Sequence, residues 1–339
     1  MIADVVDHFW FLAPMPSATP QLSVVVPCYN EAGNLRAFAA RMAAACEAAV
    51  GGSYEIIVVN DGSTDASWMI LRELQAGDRH WVAVDLARNH GQQAALTAGL
   101  RFARGAAVLI IDADLQDPPE LLPAMLEKLV QGADVVYGQR RVRTGEGWFK
   151  RATAHVFYRL LGWLTDARIP PDTGDFRLLR RHVVAALEAM PEYHRFLRGM
   201  VAWIGFTQVP LLYDRAPRHA GDTHYNFAGM LRFAGDAITS FSIKPLRLAL
   251  LAAGGGLALA LVIALYALHA YFMSGVVPGW TSLVCMFLIF SALQLFCLGV
   301  MGEYVGRIYM QSKGRPLFIV REVIGSTMPA GAEASASGK

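Results

Sequence analysis

The sequence predicts an α/β domain built on a doubly wound, mainly parallel sheet and followed by two C-terminal transmembrane α-helices. Three observations carry that expectation. Apolar, β-rich runs alternate with helical patterns between Leu22 and Gly138. Each run ends in a polar cluster. From Leu248 to Gly302 there is no Asp, Glu, Lys or Arg.

Strands that read as unbroken apolar runs, each followed by a helix, belong to parallel sheets covered on both faces. "LSVVVP" (Leu22–Pro27) precedes a helix near Glu31–Val50, and "YEIIVVN" (Tyr54–Asn60) precedes one near Asp65–Gln75. "WVAVDLA" leads to a helix near Gln92–Ala103. "AAVLIID" leads through "DADLQDPPE" to a helix from Pro118, and "ADVVYG" (Ala133–Gly138) closes the series. Ligands of such sheets bind beyond the carboxyl ends of the strands. The clusters "PCYNE", "NDGSTD", "RNHGQ", "DADLQD" and "GQRR" fall there. Five in a row are too many for turns alone. No G-x-G-x-x-G or G-x-x-x-x-G-K-[ST] occurs, so neither a Rossmann dehydrogenase nor a P-loop NTPase is supported.

The apolar stretch splits at "MSGVVPGW" into runs of about 248–272 and 280–304, each longer than the ~20 residues a bilayer-spanning helix needs. The 54% hydrophobic share exceeds that of an ordinary soluble domain. Lys244 and Arg247 precede the first run, while Arg307, Lys313, Arg315 and Arg321 follow the second. The connection carries no Lys or Arg, so the positive-inside rule makes both flanks, and residues 1–247 with them, cytoplasmic. "GGG" (Gly254–Gly256) with Ala258 offers a small-residue face for helix packing. Glu303 is expected to pair with Arg307 four residues on.

The expected organisation is a leader of residues 1–20, a main domain over 21–224, an amphipathic interfacial segment over 225–247, two spans within 248–305, and a tail over 306–339. "GWFKRATAHVFYRLLGWLT" sets Lys150, Arg151 and Arg159 among aromatic and aliphatic residues, the pattern of a helix lying in a membrane interface. No Lys or Arg precedes Arg36, so a signal peptide is not expected. Cys28, Cys46, Cys285 and Cys297 form no CxxC pair, which suits a reducing compartment without disulfides or structural zinc. A net charge of +2 gives no broad nucleic-acid footprint.

The chemistry concentrates in "LIIDADLQDPPE". Along an extended strand end alternate side chains share a direction, so Asp112, Asp114 and Gln116 are expected to converge. Such oxygen ligands suit Mg²⁺ or Mn²⁺, which take few protein carboxylates together with substrate phosphate oxygens. Asp117-Pro-Pro-Glu reads instead as a capped helix start. Asp61 lies where a carboxylate accepts from a base edge or a ribose hydroxyl, with Gly62 for the tight turn. Pro27, Tyr29 and Glu31 could wall a planar base, although Asn30–Glu31 alone reads equally as a helix cap.

The strings "VVPCYNE", "NDGSTD", "RNHGQQAALTAG", "DADLQDPPE", "GDFRLL", "RFLRGMVAWIGF" and "GEYVGRIYMQSKGRP" resemble the polyprenyl-phosphate branch of glycosyltransferase family 2, over about Leu22 to Arg321. Within it the likeness is to the bactoprenol glucosyltransferase type with two C-terminal membrane helices. The resemblance implies a GT-A fold for the catalytic domain. It implies that Pro27, Tyr29, Glu31 and Asp61, with Asp112, hold the donor nucleotide, and that Asp112, Asp114 and Gln116 hold Mg²⁺ or Mn²⁺. Arg140 would sit near the donor and acceptor phosphates. "RAPRHAGDTHY" resembles a mobile loop over the site, making Arg218 and Thr223 phosphate contacts. His224 stands there where Lys is common.

Arg198 and Arg195 are further phosphate candidates, each equally readable as an ion-pair partner. Asp175 is expected to orient an arginine or touch the sugar. Asp114, Arg140, Asp175 and Arg218 make up the implied catalytic set. The implied partners are a nucleotide sugar (a UDP-hexose, with UDP-glucose favoured), undecaprenyl or another polyprenyl phosphate, and the bilayer of a bacterial inner membrane. The resemblance leaves both a monomer and a homo-oligomer open, since relatives of this type can associate. GDP-mannose, UDP-galactose and UDP-formamido-arabinose remain alternative donors. A non-catalytic nucleotide-sugar-binding scaffold would show eroded metal ligands, and a processive polysaccharide synthase a Q-x-x-R-W motif, which this chain lacks.

Overall fold

The computed structural model describes residues 19–141, 173–214, 239, 242–274 and 279–325. They fall into two units: the first holds 19–141, 173–214 and 316–325, the second 239, 242–274 and 279–315. The aromatic–basic stretch at Gly147–Thr165, the loop bearing Arg218, Thr223 and His224, and most of the segment at 225–247 lie outside the described residues.

In the first unit the expected alternation is present. In chain order the elements are β1 (Leu22–Cys28), α1 (Ala32–Val50), β2 (Tyr54–Asn60), α2 (Ser67–Gly77), β3 (Trp81–Leu86), α3 (Gln92–Phe102) and β4 (Ala107–Ile110). A short 3-10 turn (Pro119–Leu121) then opens α4 (Leu122–Val130), followed by β5 (Val135–Arg140), β6 (Thr173–Arg180), α5 (Arg181–Ala189), α6 (Leu197–Ile204) and β7 (Gln208–Tyr213). The strands form one sheet in the order β7-β5-β6-β4-β1-β2-β3-β8, where β8 is Val320–Ile324. The pairs β1–β2, β1–β4, β2–β3 and β5–β7 are parallel. Only β6 and β8 run against their neighbours.

The strands are apolar on both faces because both faces are covered. Val24, Val26 and Cys28 of β1 pack with Phe38 and Met42 of α1, Leu71 of α2 and Met125 of α4. The opposite face of β1 and β2 carries α3, which is followed there by α5 and α6. The carboxyl ends of β1, β2, β3 and β4 therefore share one edge, where the polar clusters emerge.

Two features escape the sequence reading. β6 inserts between β4 and β5, so "TGDFRLLR" is a central strand that brings Asp175 to the site edge. The segment expected to be only a tail supplies β8, whose backbone pairs antiparallel with β3.

The second unit contains α7 (Lys244–Ser274) and α8 (Trp280–Ser312), of 31 and 33 residues. At ~1.5 Å per residue each exceeds the ~30 Å hydrocarbon core of a bilayer. Their apolar side chains face outward, Leu257 being 74% exposed and Phe287 70%. Outward leucines at that density cost little only in an apolar solvent. The helices run antiparallel, pairing Ser242 with Tyr304, Ala249 with Cys297, and Gly256 with Leu293. The glycine triplet does not act as one face. A Cβ on Gly256 would lie 3.2 Å from Leu293, whereas Gly254 and Gly255 have open space around them. At 3.6 residues per turn, three consecutive residues point in three directions. Glu303 accepts from Arg307 at 2.9 Å, the i,i+4 pair expected.

Candidate active site

A cavity of about 270 Å³ opens at the carboxyl edge of the sheet. Pro27, Tyr29, Glu31, Asp61, Asp112 and Asp114 all line it, joined by Gly91 and Gln92 at the start of α3. Six residues picked from three separate strings thus meet in one place, because β1, β2 and β4 are adjacent and parallel. A larger groove of about 440 Å³ lies between α1 and α2, but its Arg36 and Glu73 satisfy each other.

Asp61 is almost fully buried and accepts two backbone bonds, from the His90 N–H at 2.7 Å and the Gly91 N–H at 2.8 Å. It therefore fastens the turn after β3 to the turn after β2. Gly62 makes the approach feasible. Its φ is 66°, and a Cβ there would lie 2.6 Å from the backbone of Arg88 and Asn89. Asn30 also holds a left-handed conformation, φ 56°, and its side chain accepts from Thr64 N–H at 2.8 Å. Asn30 is thus a turn brace. Glu31 accepts from Asn34 at 2.6 Å beside the pocket.

The acidic motif leaves the strand sooner than an extended reading allows. β4 ends at Ile110, and Asp114 Oδ1 accepts from the Gln116 N–H at 3.1 Å, an Asx turn that puts Leu115 at φ 60°. Asp112 and Asp114 still line the same cavity, while Gln116 is not among its lining residues. The turn replaces the period-two alternation that would have aligned all three.

Asp117 is no helix cap. It is 1% exposed and accepts from the Tyr213 hydroxyl on β7. The same Tyr213 oxygen accepts from Arg140 Nε at 3.4 Å. Asp175, on β6, accepts from Arg198 Nε at 2.7 Å and from Gln92 at 3.3 Å, and Gln92 also donates to Asp112 at 3.0 Å. Arg198 is therefore an ion-pair partner in this state. Arg195 donates instead to the carbonyls of Leu187 and Met190 at the end of α5.

These contacts set the electrostatics. Burial alone would raise the Asp175 carboxyl, but Arg198 and Arg177 outweigh it and hold the group below the ordinary range. Asp112 is pushed up to about 7, by burial first and then by Asp175, Asp117 and Asp114. Among the described residues no three His, Cys, Asp or Glu side chains form a metal cage. Asp112 and Asp114 at one cavity wall fit an ion that takes few protein ligands, and a cation would relieve the carboxylate repulsion around Asp112.

Gln92, Gln93 and Tyr213 were missed by the sequence reading. Gln92 follows the visible "RNHG" signal directly. Gln93, whose side chain accepts from the Leu197 N–H at 2.8 Å, and Tyr213, on a strand that alternates weakly, left no signal.

Residues 23–187 match Glycosyl transferase family 2. The chain is 43% identical over 308 residues to an uncharacterized glycosyltransferase, sll0501, of a Synechocystis strain, covering 91% of this chain and 96% of the relative. It is 45% identical over 309 residues to the uncharacterized glycosyltransferase YkcC of Bacillus subtilis, covering 90% and 94%. The chain belongs to glycosyltransferase family 2. A prophage bactoprenol glucosyl transferase homolog of Escherichia coli is 38% identical over 307 residues, covering 89% of this chain and 99% of the relative.

As a family 2 glycosyltransferase the chain carries a GT-A-like, mostly parallel sheet, and the expected fold holds. These alignments extend beyond the family 2 region and take in most of the chain. The protein is a glycosyltransferase with two helices long and apolar enough to cross a bilayer.

Proposed function

We propose that the protein transfers a hexose from a nucleotide sugar, UDP-glucose above others, to the phosphate of a polyprenyl lipid such as undecaprenyl phosphate. The transfer takes place at the cytoplasmic face of a bacterial inner membrane. The single observation carrying this reading is the meeting of Asp61 with the Asp112/Asp114 pair in one cavity, in a chain that also has two membrane-length helices. The bactoprenol glucosyl transferase names of relatives 36–38% identical support the lipid acceptor and the glucose donor.

In this reading Pro27, Tyr29, Glu31 and Asp61 hold the base and ribose, and Asp112 and Asp114 would hold Mg²⁺ or Mn²⁺. Bound there, such an ion would supply positive charge against the donor diphosphate. A phosphate monoester has a second pKa near ~6, so the lipid phosphate is largely a dianion at neutral pH and already a nucleophile. The chain then needs no strong general base. Its task is to bring two anions together, and Arg140, linked through the Tyr213 hydroxyl to Asp117, serves that task. Arg218 and Thr223 supply further contacts from their loop, and Arg198 holds Asp175 beside the sugar position. Direct displacement by the lipid phosphate inverts the anomeric carbon. The two helices keep the catalytic unit at the bilayer, where the acceptor head group lies.

Purified full-length protein, undecaprenyl phosphate, Mg²⁺ or Mn²⁺ and a panel of nucleotide sugars test the proposal. Transfer from one donor, lost in Asp114→Asn, is expected. No transfer from any donor by a folded, nucleotide-binding protein would overturn it.

A further inference from the structure

Two paths run to Asp61 from the segment that follows α8. On the first, Arg321 of β8 donates to Asp85 Oδ2 at 3.0 Å and to the Ala87 carbonyl at 2.6 Å. Asp85 is buried in β3, and its other oxygen accepts from Asn60 Nδ2 at 2.7 Å. The Oδ1 of the same Asn60 side chain accepts in turn from the Ser63 N–H at 3.3 Å. Asn60 and Ser63 bracket Asp61.

On the second path, Ile319 accepts from the Ala87 N–H at 2.8 Å, and the His90 ring lies against the backbone of Leu317. His90 then donates its own N–H to Asp61. Both turns that fix the Asp61 carboxylate are thus braced by residues 317–321, which lie well over two hundred positions away in the chain. Without them β3 would be a sheet edge, and the buried carboxylate of Asp85 would lose its cationic partner.

We propose that Leu317–Arg321 is a positioning element of the donor-nucleotide site, setting Asp61 through Asp85 and His90. The inference rests on the reading of the Asp61 cavity as the nucleotide site. It assigns these residues to donor affinity and not to the transfer step. The strand downstream of the second apolar helix is then as much a part of donor recognition as the turns that touch the ligand.

Arg321 is 59% exposed, so its replacement leaves no packing hole. Arg72 provides the control, because it pairs with Glu322 on the same strand without joining either path. Full-length protein in detergent is titrated calorimetrically with UDP, GDP, CDP, dTDP and ADP, each alone with Mg²⁺. For whichever nucleotide the wild type binds, Arg321→Gln weakens affinity on the order of tenfold, the effect of a lost charged hydrogen bond. Arg321→Lys recovers part of it, and Arg72→Gln stays within about twofold of wild type. In transfer assays the Arg321→Gln loss appears in the donor KM, with kcat and the lipid KM unchanged.

Equal affinities in Arg321→Gln and wild type, or equal losses in Arg321→Gln and Arg72→Gln, would overturn the inference and leave the nucleotide site standing. A wild type that binds none of the nucleotides would overturn the site reading and this inference with it.

Discussion

The Tyr213 hydroxyl bonds the buried carboxylate of Asp117 and at the same time accepts from Arg140 Nε at 3.4 Å. A strand-end arginine is thereby held by a phenol from the neighbouring parallel strand, with Gly174 leaving room beneath its guanidinium. Burial, reinforced by Asp117, raises the phenol well above its ordinary value, so Tyr213 stays a donor throughout the working pH range.

Tyr213→Phe keeps the ring and removes the link. Transfer kcat/KM is expected to fall on the order of tenfold, with nucleotide affinity unchanged. Stability should drop by about 1–3 kcal/mol, because a buried carboxylate loses a donor. Steady-state kinetics beside urea unfolding checks both. A loss of stability with unchanged transfer would confine Tyr213 to the core.

Removal of divalent ions with EDTA is expected to abolish transfer, and added Mg²⁺ or Mn²⁺ to restore it. Asp114→Asn should cut transfer by on the order of a hundredfold or more, since it weakens the charge that balances the diphosphate. Full activity in EDTA would exclude the ion.

Cys28 lines the cavity, yet burial pushes its thiol up to about 12, as it does for Cys46. The thiolate is the reactive form. At pH 8 both cysteines should therefore resist iodoacetamide in the native protein and label readily once unfolded. Mass-spectrometric mapping reads this directly, and fast native labelling of Cys28 would contradict its burial.

In the helical unit, Gly256→Val should lower thermal stability in detergent, because its side chain would press on Leu293. Overpacking of this kind costs about 1–3 kcal/mol. Gly254→Val, at an open position, should leave the melting temperature within about a degree. The opposite ranking would place the interface on another face.

Much of this was legible in the sequence because it follows from local pattern. Apolar runs with polar tips gave the parallel sheet, and adjacency of β1, β2 and β4 then carried Pro27, Glu31, Asp61 and Asp112 to one edge. Features set by distant partners were not legible. Nothing local in "TGDFRLLR" places it between β4 and β5, and nothing in "VREVI" says it will pair with β3. Asp117 read as a cap because its partner Tyr213 is 96 residues away. The alternation expected of Asp112, Asp114 and Gln116 failed because one side-chain bond, from Asp114 to the Gln116 N–H, turned the chain.

The central claim is that the acceptor is a lipid phosphate attacking the sugar directly. The most direct measurement is the mass and anomeric configuration of the product formed from undecaprenyl phosphate and the preferred donor. A lipid carrying one phosphate and one hexose, inverted relative to the donor, is the result predicted. A product with two phosphates, with retained configuration, or with the sugar on any other acceptor would contradict it.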